Sequence, residues 1–461
     1  MVPVKLVLDG TVLPVVLLPA LAACIGLVAL LFSRPRIWLA MFMATVPFFA
    51  SDTGQGLTAS EAITGGVLLS SIALWFAWHL ASNKGPLLRS WADFLLVTFI
   101  IVAVLNVGIA LANDIEIFGW IVDWSYFVLM LYYFPLREEF GKDLPSLKQF
   151  VSIIGIISLI MSVQSALNFR NRLAENLVYA YQIVASRSTL LGPFFLLAVC
   201  ISIILAVTAE ERRTKILSFL IAVANLAALG LTFTRTIWVF AVACIGLSML
   251  FLRYRDNLRM VTRLIAIGVV AFIAAYSYNP RITSVIVAMV KTRFASSTQL
   301  SGGDRSFETR VIEVNDVLRK VRQAPLGGSG LRATFVTWAP IDQAHHITSY
   351  VHIGYVGLVH KLGLPTALLM FAVIVIFAFR SIRVAWRSRA PNVDVRLKAL
   401  AIGTFVYYPA MLAVIFMSGM FDQRHGNALF AFMFASIAIC EGLLPRQSQP
   451  SHVVPSSGES Q

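Results

Sequence analysis

Long apolar runs make up most of the chain, and short polar loops separate them. A helix of about 20 apolar residues is long enough to cross the hydrocarbon core of a bilayer. Backbone polar groups in lipid must pair within their own segment, so each run is predicted to be helical. About thirteen such runs are present, near residues 12–32, 37–50, 59–81, 92–111, 117–134, 149–167, 189–208, 216–232, 236–252, 260–278, 364–379, 399–419 and 427–444.

The composition agrees with this pattern. Apolar residues make up 58% of the chain and charged residues 13%, whereas soluble proteins have roughly 45–50% and about 25%. We therefore predict an all-α polytopic membrane protein with about 12–13 transmembrane helices. Its predicted parts are membrane helices with short loops over 1–278, a large and partly helical loop over 279–349, a re-entry helix and C-terminal membrane helices over 350–445, and a disordered tail over 446–461.

Lysine and arginine concentrate in alternate loops, which predicts the orientation. The basic set contains Arg34 and Arg36, Lys84 and Arg89, Arg137, Lys142 and Lys148, Arg212, Arg213 and Lys215, Arg253, Arg255, Arg259 and Arg263, and the run from Arg380 to Lys398. The other set includes 51–59 and 112–117, which have no Lys or Arg, although its 168–188 loop contains Arg170, Arg172 and Arg187. Short basic loops remain in the cytoplasm, so the C-terminus is predicted to be cytoplasmic and the 279–349 loop to be outside.

Two basic features lie on the predicted outer side. The 279–349 loop has nine Lys and Arg residues against five acidic ones, and this excess indicates an anionic partner. Long loops cross the membrane regardless of charge, so the excess does not conflict with the orientation. Arg235 lies in a tight turn between two membrane helices. Such an arginine either snorkels to lipid head groups or faces a cavity at the membrane surface.

Within the large loop, residues 304–323 show the spacing of an amphipathic helix. Arg310 lies near the edge of the apolar stripe, with Glu313 three residues later. Pro325 ends the pattern, because proline cannot continue a helix and disfavours helical backbone in the residue before it. The stripe consists of Val311, Val314, Leu318 and Val321.

A glycine-rich stretch and a histidine follow this helix. Leu326-Gly-Gly-Ser-Gly330 is interpreted either as an anion-binding nest of backbone N–H groups or as an ordinary flexible linker. A second helix is predicted over 350–362, with His352 near its start and Tyr355 on the same side. Neutral imidazole is a natural proton acceptor. The alternative is a structural histidine bonded to a neighbouring carbonyl group.

Other classes of function receive less support. An inverted-repeat transporter should have matching broken helices in its two halves, and here one large loop has no counterpart. Charged residues within the apolar runs are few, chiefly Asp123 and Lys361. Transport of a polysaccharide or lipid-linked substrate, and a non-enzymatic membrane role, remain alternatives. Asp114 and Glu116 offer two carboxylates in an outer loop, but a solvated loop is the favoured interpretation, so neither a metal nor a cofactor is predicted.

Three motifs together resemble the O-antigen ligase and O-antigen polymerase superfamily of membrane glycosyltransferases. The first is Leu231-Thr-Phe-Thr-Arg-Thr-Ile-Trp238, and the second is Arg310 followed by Pro325-Leu-Gly-Gly-Ser-Gly330. The third is His352 upstream of the turn at Gly363. The departures from the family pattern lie at four positions and remove no charged group: Thr234, Val314, Gly328 and Ile353.

The resemblance implies a GT-C-like, multi-pass enzyme of the bacterial inner membrane with its large loop in the periplasm. It would transfer a glycan from an undecaprenyl-pyrophosphate carrier to an acceptor hydroxyl, without a metal. Arg235 and Arg310 would hold the pyrophosphate, since guanidinium groups bind such anions in bidentate fashion, and His352 would accept the proton. Five further residues are predicted to bind substrate: Arg187, Arg305, Arg332, Tyr355 and Arg424.

The resemblance leaves the acceptor open. A polymerase would extend a second lipid-linked repeat unit, whereas a ligase would transfer the glycan to lipid A–core. We favour polymerisation of O-antigen or exopolysaccharide, because the motifs are degenerate and the polymerase branch is the more divergent one. A flippase and a chain-length regulator are the protein partners that this role implies. The net charge of +14 reflects the basic loops, and nucleic acid is not a predicted partner.

Overall fold

The computed structural model describes residues 33–48, 59–175, 191–278, 305–339 and 343–444, with isolated positions at 26, 28 and between 280 and 291. The two strands that pair are Phe335–Ala339 and Ala344–Thr348. Two short 3-10 helices are Leu129–Tyr132 and Met420–Asp422. The α-helices are Pro35–Phe48, Ala59–Ala81, Trp91–Ala112, Ile117–Val128, Tyr133–Phe140, Leu144–Glu175, Gly192–Thr208, Arg212–Gly230, Arg235–Met249, Tyr254–Tyr278, Arg305–Gln323, Gly354–Leu362, Leu364–Arg387, Val395–Ile415 and Arg424–Leu443.

The helices confirm the prediction of an all-α polytopic membrane protein. Eight of them within the described residues are long and apolar enough to cross a membrane. Two shorter apolar helices, Gly192–Thr208 and Arg235–Met249, accompany them. The predicted run near 12–32 and the predicted tail over 446–461 lie outside the described residues.

The centre of the bundle is formed by close packing of a few helices. Val395–Ile415 and Arg424–Leu443 are the most enclosed of the candidate spans, and Gly192–Thr208 packs against the first of them. A Cβ atom on Gly403 would lie 2.9 Å from the Cα of Ile201, so glycine is what allows the two backbones to approach this closely. Small residues at such crossings are a main source of helix association in lipid.

The predicted basic loops meet at one end of the bundle. Arg36 donates a hydrogen bond to Ser146, and ion pairs join Arg89 to Glu138 and Arg396 to Glu211. A buried network reinforces this end, where Arg137 Nη1 donates to Asp93 Oδ2 at 2.9 Å and the Tyr133 hydroxyl donates to Asp93 Oδ1 at 2.7 Å. The alternation of charge along the sequence therefore corresponds to two opposite ends of the molecule. Which end faces the cytoplasm stays a prediction.

The opposite end carries two elements of the large loop and the helix that follows it. The predicted amphipathic helix is present as Arg305–Gln323, which we call the loop helix. An antiparallel hairpin follows, pairing Phe335 with Thr348 at one end and Ala339 with Ala344 at the other. The sequence did not predict this hairpin. Next comes Gly354–Leu362, which we call the short helix.

The glycine-rich stretch is neither the anion nest nor the flexible linker that the sequence left open. Three of its backbone N–H groups are already bonded to carbonyl groups: Gly328 donates to Ala324 O at 3.0 Å, Ser329 to His360 O at 2.7 Å and Gly330 to Lys361 O at 3.0 Å. Asn106 belongs to a membrane helix, and its side-chain Oδ1 accepts a hydrogen bond from the backbone N–H of Leu331 at 2.8 Å. The stretch therefore caps the C-terminal end of the short helix, where carbonyl groups lack partners within the helix.

Lys361 is held in a buried ion cluster. Its ammonium Nζ lies 2.9 Å from Asp422 Oδ1 and 3.3 Å from Asp123 Oδ2, and its side chain is 3% exposed. Burial alone would lower the pKa of Lys361, but the two carboxylates outweigh it and raise the pKa above its ordinary value. Asp123 also accepts the backbone N–H of Arg332 at 3.1 Å. The cluster joins a membrane helix, the short helix and the turn before the last helix.

We predict that Lys361→Ala destabilises the protein by about 3–5 kcal/mol, because breaking a buried pair leaves charge uncompensated. Asp123 and Asp422 would remain buried after the ammonium is lost. The measurement is the thermal or denaturant unfolding of the detergent-solubilised protein. Lys320→Ala, which removes an exposed lysine from the loop helix, is the control and should unfold like the wild type. An unchanged unfolding midpoint for Lys361→Ala would contradict the prediction.

We predict that Gly328→Ala is also destabilising. Gly328 has φ +72°, and a Cβ atom there would lie 2.5 Å from the backbone nitrogen of Gly363. The left-handed backbone costs a non-glycine residue about 1–2 kcal/mol before any clash is counted. The control is Gly268→Ala, at a helical position with open space around it, where alanine should be neutral or stabilising by about 0.5–1 kcal/mol. Equal unfolding midpoints for the two variants would contradict this account.

Candidate functional site

A small core fixes the loop helix against the start of the short helix. Val317, Phe335 and Val351 are buried together, separately from the main core of the bundle. Val317 comes from the loop helix, Phe335 from the hairpin, and Val351 from the turn that follows the hairpin. This packing determines where the neighbouring polar residues lie, because Glu313 is one turn before Val317 and His352 directly follows Val351.

Glu313 and His352 form a tightly bonded pair at this junction. Glu313 Oε1 accepts the backbone N–H of His352 at 2.5 Å, and Oε2 lies 2.6 Å from the imidazole Nδ1. The glutamate side chain is 3% exposed, whereas the histidine side chain is 40% exposed. No hydrogen bond to His352 Nε2 is found among the residues that the structure describes. The imidazole is therefore anchored on one side and accessible on the other.

The prediction that His352 lies within the second helix is wrong. The helix begins at Gly354, and Ile353 has the extended backbone of an N-cap, with φ −90° and ψ 97°. The backbone N–H of His352 donates to Glu313, so the side chain of another helix satisfies it. His352 is thus held by a long-range contact rather than by helical periodicity.

Arg310 lies one turn before Glu313 on the loop helix. Residues three apart on a helix are neighbours, with Cβ atoms about 5–6 Å apart, so the Arg310 side chain begins beside the group that holds His352. Among the described residues, the half-buried Arg310 guanidinium has no hydrogen bond or ion pair. The structure therefore brings together two of the three predicted catalytic residues and leaves this cation available for an anion.

Tyr350 connects the pair to the turn before the last helix. Its hydroxyl accepts the backbone N–H of Gly419 at 3.0 Å and the side-chain N–H of Gln423 at 3.2 Å. The ring meets that of His352 edge to face, with centroids 5.0 Å apart. Burial raises the pKa of Tyr350 to about 12, although Arg310 acts to lower it. Tyr350 is thus a neutral hydroxyl near pH 7, and the sequence interpretation missed it.

Arg235, the third predicted catalytic residue, is the first residue of the helix Arg235–Met249. The turn before it is tight, with Phe233 at φ +48° and the Trp238 indole N–H donating to Leu229 O at 3.0 Å. This geometry agrees with the predicted turn between two membrane helices. That Arg235 and Arg310 act on one ligand stays a prediction.

Two of the predicted substrate-binding residues already have partners within the protein. The Arg332 guanidinium, which is half exposed, forms an ion pair with Asp123 at 3.4 Å. The Tyr355 hydroxyl donates to Leu412 O at 3.0 Å, and its ring packs among aromatic residues of the bundle. To bind substrate, these two side chains would have to contact it through the atoms that their present partners leave exposed.

The structure describes the other three predicted substrate-binding residues to different extents. The Arg424 guanidinium lies 5.8 Å from the centroid of the Tyr126 ring, close to the turn that Tyr350 holds. Arg305 is the first residue of the loop helix, but its side chain lies outside what the structure describes. Arg187 lies wholly outside the described residues. Within the described part of the chain, no group of three or more His, Cys, Asp or Glu residues could hold a metal ion.

The candidate site thus combines an imidazole with an accessible Nε2 and a guanidinium that no carboxylate of the described residues neutralises. Such a pair can accept a proton and bind an anion at the same place. Residues 220–371 match the family model described as O-antigen ligase, and this span contains Arg235, Arg310 and His352. No match to a curated protein was found for the chain. The resemblance to the O-antigen ligase and O-antigen polymerase superfamily that the motifs predicted is thus confirmed over residues 220–371.

Proposed function

We propose that the protein transfers a glycan from an undecaprenyl-pyrophosphate-linked donor to an acceptor hydroxyl, and that it polymerises O-antigen or exopolysaccharide repeat units. The observation that carries the proposal is the arrangement of Arg310 and His352. Both belong to the span that matches the O-antigen ligase family, and Glu313 links them, one helical turn after Arg310 and bonded to His352. The pairing matches the needs of the reaction, which releases one anion and one proton.

In the proposed reaction, the acceptor hydroxyl oxygen attacks the anomeric carbon of the donor glycan. A new carbon–oxygen bond forms as the bond from that carbon to the phosphate oxygen breaks. The lipid pyrophosphate departs with the bonding electron pair, and the hydroxyl proton passes to His352 Nε2. General-base catalysis of this kind contributes typically about 10²–10⁴-fold to a rate.

In this proposal, arginine side chains stabilise the negative charge that develops on the leaving pyrophosphate. Electrostatic stabilisation of developing charge is usually the largest catalytic contribution. Arg310 supports this role because no described carboxylate neutralises it, and Arg235 would act from the first turn of the helix Arg235–Met249. Arg187, Arg305 and Arg332 would bind further phosphate or sugar oxygens. Tyr355 and Arg424 would lie towards the acceptor.

The proposed site faces the periplasm from the bacterial inner membrane. The basic loops meet at one end of the bundle, and basic loops remain in the cytoplasm. The loop helix and His352 lie at the other end, which would therefore be periplasmic, with the C-terminus cytoplasmic. A membrane-bound carrier would present its pyrophosphate at this level, and a flippase and a chain-length regulator would act beside the enzyme.

An O-antigen ligase that transfers the glycan to lipid A–core is the second candidate. The observation in its favour is the description of the matching family model. Both candidates use the same donor and the same leaving group, so Arg235, Arg310 and His352 would have the same roles. They differ in the acceptor, and the phenotype of a deletion distinguishes them.

We predict that deletion of the gene in the native host alters the surface glycan. Collapse of chain length to single repeat units indicates a polymerase. Loss of glycan-capped lipopolysaccharide together with accumulation of carrier-linked polymer indicates a ligase. The measurement is electrophoresis of surface glycan and extraction of carrier-linked glycan. Unchanged glycan would contradict both candidates.

We predict that Arg310→Ala and His352→Ala fail to restore the glycan of the deletion strain. Loss of one group that stabilises transition-state charge costs typically about 10²–10³-fold in rate. The matched control is Arg319→Ala on the same loop helix, where the guanidinium is exposed and pairs with Asp316; this variant should complement fully. Wild-type glycan in both test variants at normal protein levels would refute the proposed roles.

We predict that glycan transfer by the purified protein persists after treatment with EDTA, because arginine side chains supply the positive charge in this proposal. The assay follows transfer from a synthetic lipid-pyrophosphate donor before and after dialysis against the chelator. A metal-dependent glycosyltransferase assayed in parallel controls for effective chelation. Loss of activity that added Mg²⁺ restores would contradict metal independence.

A further inference from the structure

We infer that Glu313 is a positioning residue for the proposed transfer: its carboxylate holds the His352 imidazole with the proton on Nδ1, so that Nε2 is the atom that accepts the proton. The inference rests on the proposed function, and it deepens the account of that site. Neither the family match nor the motifs of the sequence gives Glu313 a role.

The hydrogen bonds between Glu313 and His352 determine which nitrogen of the imidazole carries the proton. An ionised carboxylate can only accept hydrogen bonds. Glu313 Oε1 accepts from the backbone N–H of His352, which is always a donor, at 2.5 Å. Oε2 lies 2.6 Å from Nδ1, so Nδ1 must carry a proton for this contact to be attractive. In the neutral imidazole the other nitrogen, Nε2, is then left unprotonated.

The surroundings keep this arrangement rigid. The carboxylate is 3% exposed, so water competes little for its oxygens. The same glutamate binds both the backbone and the ring of His352, and the buried trio of Val317, Phe335 and Val351 packs beside it. The Tyr350 ring meets the imidazole edge to face. The imidazole is thus held at Nδ1 by Glu313 and edge to face by Tyr350, and no hydrogen bond to Nε2 is found in the described part of the chain.

Among the charged groups around the pair, a carboxylate contacts the imidazole ring. Glu313 is the carboxylate that contacts the ring, and it would stabilise the positive charge that appears when Nε2 takes the proton. Arg310 lies one turn away on the same helix, and Asp422 faces Tyr350 from the turn before the last helix. Lys361 already neutralises Asp422, so Glu313 is the carboxylate that balances the charge on His352.

Replacement of Glu313 by glutamine separates positioning from simple anchoring. A glutamine side chain has one acceptor oxygen and one donor NH₂ group. Its oxygen would pair with the backbone N–H of His352, which leaves the NH₂ group facing Nδ1. Nδ1 would then have to accept, and the ring proton would move to Nε2. The fold would be retained while the imidazole is held in a tautomer that cannot accept the proton.

The test measures glycan transfer by purified full-length protein with the lipid-pyrophosphate donor. We expect Glu313→Gln to lower kcat by about 10²–10⁴-fold, as a wrong tautomer does in a histidine–carboxylate pair, with the KM for the donor unchanged. Glu313→Asp, which keeps the charge, should recover part of the loss. Glu308→Gln, at an exposed position of the same helix, is the matched control and should have wild-type kcat.

A double variant tests whether Glu313 acts through His352. Glu313→Gln combined with His352→Ala should be no less active than His352→Ala alone, since the positioned group is already absent. Additive losses, or a wild-type kcat in Glu313→Gln, would overturn the inference. A loss of kcat that Glu313→Asp does not restore at all, with lowered unfolding midpoints in both variants, would also overturn it in favour of a purely structural role. If His352→Ala retains full activity, the proposed function itself fails, which is a different result.

Discussion

The buried ammonium of Lys361 is the constraint on which the geometry of this end of the molecule depends. A charged group excluded from water has to be neutralised by close partners, because an unpaired buried charge is very costly. Asp123 and Asp422 provide that neutralisation, at 3.3 and 2.9 Å, and they come from a membrane helix and from the turn before the last helix. One side chain of the short helix thus determines where three separate parts of the chain meet.

The position of His352 follows from that constraint. The short helix starts two residues after His352 and is capped at its far end by the glycine-rich stretch. The turn that contains Asp422 also supplies Gly419, which donates to Tyr350 beside the imidazole. His352 is therefore supported from the bundle on one side and from Glu313 of the loop helix on the other. A substitution in the Lys361 ion cluster would therefore displace the His352 imidazole, although the cluster does not contact that ring.

Much of the fold could be predicted from the sequence because it depends on local patterns. Apolar runs give the membrane helices, and the stripe from Val311 to Val321 gives the loop helix. The rest depends on contacts that no local period encodes. The sequence shows Asp123 and Lys361 as two rare charges in apolar surroundings, but 238 positions separate them. Glu313 looked like an ordinary polar residue beside Arg310, and its role emerges when the chain brings His352 to it.

The balance of charge explains why one arginine remains available at the site. Asp123 and Asp422 are paired with Lys361, and Glu313 is bonded to His352. No described carboxylate pairs with Arg310. Three N–H groups of the glycine-rich stretch are also committed, since Gly328 bonds to Ala324 O and Ser329 and Gly330 bond to carbonyl groups of the short helix. An anion that reaches this site would therefore be bound by guanidinium side chains and not by a backbone nest. A guanidinium can donate two hydrogen bonds to one phosphate group, which suits a reaction whose leaving group is a lipid pyrophosphate.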